Sequence, residues 1–153
     1  MEFMKLKLLT TFSGLVFAAG SARANIAYSD PANQGTQAFG DNLALDFTVN
    51  SAISLTAIGV FNASGSGMIG GPITVAIFNT STNAEVAGIQ VTFSGSTYSL
   101  CPGSLSFDVC QSIATVLLGP GTYEVDAVGF GSFDPNGNLA TGARVLFWTA
   151  AVS

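Results

Sequence analysis

Histidine is missing from all 153 residues, and lysine is missing beyond Lys7. Those two absences remove a serine–histidine triad, a Schiff-base lysine and a histidine-ligated metal from the possible chemistry. Charge of either sign is scarce, at 8% of the chain, and the cations are Lys5, Lys7, Arg23 and Arg144 alone. No basic patch can be assembled from them, so the chain carries no footprint for nucleic acid and no attraction to anionic lipid. Cysteine occurs twice, at Cys101 and Cys110. Two thiolates without a histidine are too few for a zinc site, and their spacing is not that of a C-x-x-C redox pair. Helical periodicity is lacking past residue 24, and so are internal repeats and a linker.

What is present begins with a leader. Residues 1–7 carry two lysines, and residues 8–19 form an apolar run too short to span a bilayer comfortably. Ala22-Arg23-Ala24 supplies a small-x-small cleavage pattern. Residues 1–24 therefore read as a signal peptide, with residues 25–153 as the mature domain and no membrane span after cleavage. An uncleaved membrane anchor is the alternative. Cleavage leaves 153 − 24 = 129 residues with one cation, Arg144, against eight carboxylates, a net charge of 1 − 8 = −7. In an exported chain the even cysteine count predicts a Cys101–Cys110 disulfide that staples a loop.

Turn signals and period-two alternation divide the mature chain into strands. The clearest stretch is LLGPGTYEVDAVGFG, residues 117–131. There Tyr123, Val125, Ala127 and Gly129 share one face, and Thr122, Glu124, Asp126 and Val128 share the other. Strands are predicted at 42–49, 53–61, 73–79, 86–93, 113–118, 122–129 and 143–152. The pair 113–118 and 122–129 reads as a hairpin around Gly119-Pro120-Gly121. Loops are predicted at 62–72, 94–110 and 130–142. Seven or eight short strands without helix predict an all-β fold, a two-layer antiparallel β-sandwich with jelly-roll topology. An immunoglobulin-like strand order is the alternative, because alternation does not fix which strands are neighbours.

Four stretches resemble the exported β-sandwich domain of bacterial proteins that carry a PEP-CTERM sorting tail: GDNLALDFTV (40–49), AIGVFNASGSG with ITVAIFN (57–67 and 73–79), the 117–131 stretch, and DPNGN (134–138). The resemblance implies a secreted or surface-displayed bacterial protein and carries over no catalytic or binding residue. The Pro-Glu-Pro motif, hydrophobic tail and basic terminus of that family do not follow the last strand, so release into the medium is the expectation.

Three groups of residues carry candidate chemistry. Glu124 and Asp126 form an E-x-D pair on one strand face, as carboxylates of a glycoside-cleaving jelly roll would, but the next positions, Val128 and Phe130, leave such a motif incomplete. A solvated polar strand face accounts for the same pattern. Asp134, Asn136 and Asn138 place oxygen ligands at alternate positions, which suits calcium as the one possible cofactor, although an Asp-Pro/Asn-Gly turn needs the same residues. Tyr98 and Phe133 in predicted loops, and Trp148 in the last strand, are the rings that could stack on a sugar or meet a partner; core packing is the other account of Trp148. The sum is a non-enzymatic protein, secreted or on the cell surface, with a matrix, adhesion or carbohydrate-binding role and with extracellular carbohydrate or surface proteins as partners. The alternatives are a small glycoside-active enzyme using Glu124 and Asp126, or a fibre subunit assembling through sheet edges.

Overall fold

The computed structural model describes residues 25–26, 35–63, 65, 67–96, 98–101, 108–137 and 151–152. Ten strands and no helix occur among them: β1 (Asn25–Ile26), β2 (Leu43–Val49), β3 (Ile53–Phe61), β4 (Met68–Asn79), β5 (Ala84–Glu85), β6 (Val91–Gly95), β7 (Ser99–Leu100), β8 (Asp108–Leu118), β9 (Gly121–Val128) and β10 (Ala151–Val152). Two antiparallel sheets result. One runs β1-β10-β3-β8-β7, and the other β2-β9-β4-β5, with β6 also on β4. The chain crosses repeatedly between the sheets so that β1-β10-β3-β8 faces β2-β9-β4-β6. That is the jelly-roll order of a β-sandwich, as expected.

The core lies between the sheets and follows from alternation. Tyr123, Val125 and Ala127 of β9 turn inward and meet Leu55, Ile58 and Val60 of β3, Ile73, Val75 and Ile77 of β4, and Val91 and Phe93 of β6 in one buried cluster. The predicted central position of 53–61 holds, since β3 is flanked by β10 and β8.

Four segments differ from expectation. The 113–118 and 122–129 segments are not a hairpin. Leu118 pairs with Ile53 in one sheet and Gly121 pairs with Val49 in the other, so Gly119-Pro120 is a crossover. Pro120 has no N–H with which to continue a ladder. Tyr123 closes this corner: its ring lies over Gly121 and its hydroxyl donates to the Gly119 carbonyl at 2.9 Å.

Of the predicted strand 86–93 only residues 91–93 are in a strand, β6, and residues 86–90 form the connection from β5. Ile89 is driven fully into the core by a turn whose Gly88 sits at φ +84°, a conformation glycine takes without strain. The predicted loop 62–72 contains the start of β4. Met68 pairs with Gly95 and Ile73 with Phe93, so the intervening Gly-Gly-Pro segment bulges out of register. The predicted 94–110 loop likewise contains the end of β6, all of β7 and the first residues of β8.

Candidate functional site

The staple forms the base of the first candidate site. Cys101 and Cys110 are bonded, joining the end of β7 to β8. β7 has only two paired residues, Ser99 with Cys110 and Leu100 with Val109, and one more bond from Cys101 N–H to the Asp108 carbonyl at 2.9 Å. The disulfide thus holds in place the short strand that follows the crossing from one sheet to the other.

That crossing, through Ser96 and Tyr98, walls a hollow of about 320 Å³ lined by Asn62, Gly65, Ser96, Tyr98, Leu100 and Val109. Tyr98 is not a free ring on a loop. It is half-buried, tilted on Phe93 at 5.3 Å between centroids, and its hydroxyl donates to the Ser94 carbonyl at 2.6 Å while accepting from Ser94 N–H. The ring is consequently a fixed wall. Leu100 beside it is 65% exposed. Next to Ser96 the backbones approach closely, because a Cβ at Gly67 would lie 2.4 Å from the Gly95 carbonyl oxygen and from Ser96 Cα. Aromatic and aliphatic walls, with exposed Ser96 at the rim and Asn62 buried behind it, suit a small polar ligand that has an apolar face.

The second candidate is the outer face of the β2-β9-β4 sheet. Register places Asp46, Glu124 and Phe78 in one row across the three strands, and Ala44, Asp126 and Ala76 in the next. Asp46 was not legible as part of the pair: it lies far from Glu124 in sequence, and alternation gives a face but no neighbour strand. Glu124 has its carboxyl raised above the ordinary value, first by partial burial, then by the charges of Asp46 and Asp126 and a hydrogen bond with Asp46. Asn42 donates to Asp126 Oδ2 at 2.9 Å, while Asp126 Oδ1 has no partner among the described residues. No described residue is a cation. A second hollow of about 350 Å³ lies alongside, lined by Asp46, Phe47, Thr48, Thr80 and Thr122. Glu124 and Asp126 line neither of these two hollows.

The third is the loop after β9. Asp134 and Asn136 are 1% and 0% exposed. Asp134 Oδ2 accepts from Gly70 N–H, Asn136 Nδ2 donates to Gln37 Oε1 at 3.1 Å, and Gly137 N–H donates to Asn136 Oδ1 at 2.8 Å. Asn136 also forms a backbone bridge with Gln37. These side chains latch the loop onto β4 and onto the segment before β2. Asp134 Oδ1 has no hydrogen-bond partner among the described residues, and no group of three or more Asp, Glu, Cys or His residues among them is placed to hold a metal. Phe133 is 68% exposed above Gly70. Asn138 and Trp148 lie outside the described residues.

No protein-family model, curated protein or solved structure matches the chain.

Proposed function

We propose that this chain is an exported, non-enzymatic β-sandwich protein that attaches to extracellular carbohydrate through the hollow beside Tyr98. The observation that carries the reading is the hollow itself: Tyr98 is locked by Phe93 and Ser94, exposed Leu100 stands beside it, and exposed Ser96 supplies a polar group. A sugar ring has one face of C–H groups and a rim of hydroxyls, and those walls match both. The leader-like residues 1–24 and the disulfide support export. The resemblance to PEP-CTERM-type domains supports a bacterial extracellular setting.

The test is a pull-down of the mature protein on a panel of insoluble polysaccharides, with sugar release assayed in parallel. Retention on at least one polysaccharide, lost in Ser96→Trp and without released sugar, is the expected result. Ser96→Trp fills the hollow from an exposed position and removes no core contact. Release of sugar that stops in Glu124→Gln would replace this reading with the glycosidase.

A further inference from the structure

We propose that the edge of β2 accepts an extended, lysine- or arginine-bearing segment of another polypeptide as an added strand. The inference goes beyond carbohydrate attachment and uses none of the residues of the Tyr98 hollow.

β2 is an edge strand with β9 as its one strand neighbour among the described residues. Its pairing runs from Leu43–Ala127 to Val49–Gly121 without a register shift. The other sheet edges are less suited to an added strand. β1, β5 and β7 are two residues long. β6 pairs with β4 through a register shift, and so does β8 with β3, where Leu55 pairs with Val116 but Ala57 pairs with Ser112. Of the usual guards against strand addition β2 carries one charge, Asp46, and no lysine, proline or bulge.

The chemistry of the occupant follows from what flanks the edge. Leu43 and Leu45 point to the inner side and are only half-buried, leaving apolar surface for a neighbour to cover. On the outer side Asp46, Glu124 and Asp126 occupy adjoining rows. Glu124 is already crowded by the two aspartates, and exposed Asp46 stands on the edge strand itself. An incoming strand with alternating apolar and cationic residues would satisfy both sides at once, together with the backbone groups between them. A second copy of this chain fits worse. Pairing β2 with β2 would bring another Asp46 and Glu124 against the first set, and like charges across strands repel. Arg144 is the only cation of residues 25–153, so these residues do not supply the basic strand.

The probe is an acetylated, amidated, fluorescently labelled Lys-Val-Lys-Val-Lys-Val-Lys peptide, titrated with the mature protein. Saturable binding that weakens with added salt is expected, with slowed hydrogen exchange at the amides of β2. A Lys-Pro-Lys-Pro-Lys-Pro-Lys peptide has the same charge but cannot add as a strand, and should not bind. The double variant Asp46→Asn/Glu124→Gln, altered only on the outer face, should bind about tenfold more weakly with its melting temperature kept or raised. Equal binding of the proline peptide, exchange protection away from β2, unchanged affinity of the variant, no binding at millimolar peptide, or dimerisation of the protein through β2 would each overturn the proposal.

Discussion

Replacing both cysteines by alanine tests how β7 is held. A bond closing a loop at a sequence separation of 9 restricts the unfolded chain by roughly 2.6 kcal/mol in the chain-entropy model. The native state has little with which to offset that loss at β7. Its ladder is two residues long, both of those residues are exposed, and the Cys101–Asp108 backbone bond is the one further tie described there. Cys101→Ala/Cys110→Ala should therefore lose about 2–3 kcal/mol in urea, which for a domain of this size is on the order of 10 °C in melting temperature. Hydrogen exchange should accelerate first at Ser99–Cys101 and Asp108–Cys110, with β9 and β4 unchanged until global unfolding. Reduction of the wild type should give the same shift. A loss under ~0.5 kcal/mol, or early exchange spread evenly over both sheets, would refute the reasoning, because β7 would then be held by something other than the staple.

Gly129→Ala should destabilise by several kcal/mol, measured by urea unfolding. The new Cβ would lie 2.2 Å from the Pro72 carbonyl oxygen at a φ of +110°. Asp134→Ala should cost about 1–3 kcal/mol by leaving Gly70 N–H without its acceptor. The melting temperature of the wild type with and without chelator then decides the calcium expectation for that loop, and an unchanged value removes calcium as a stabilising ligand. Glu124→Gln should be slightly more stable than wild type at neutral pH, by a few tenths of a kcal/mol. The Glu124 carboxyl is raised in the folded state, so its contribution is fully present below the unfolded value and is lost as pH rises through the folded one. The gap between variant and wild type should accordingly close on acidification, and a gap independent of pH would remove the crowding by Asp46 and Asp126.

Alternation in residues 43–49 and 121–128 was enough to give two strands, their inward faces and an all-β sandwich, because period two is a local property of the chain. Register and sheet membership are not local. The Gly-Pro-Gly corner therefore looked like a hairpin, although Leu118 and Gly121 belong to different sheets. The same limit hid Asp46, which becomes the neighbour of Glu124 only when β2 and β9 pair. Tyr98 was visible as a ring near the staple, but its lock on Phe93 and Ser94 depends on how the chain crosses between sheets. Asp134 and Asn136 were legible as turn residues with oxygen ligands. Their burial against Gly70 and Gln37 was not, since it depends on the loop packing over a bulged β4.

Amide chemical-shift mapping, run with a soluble oligosaccharide derived from whichever polysaccharide retains the protein, tests the central claim most directly. Shifts concentrated at Asn62, Gly65, Ser96, Tyr98, Leu100 and Val109, and abolished in Ser96→Trp, are the predicted result. Shifts centred on Asp46, Glu124 and Asp126, or no shifts at saturating sugar, would contradict it.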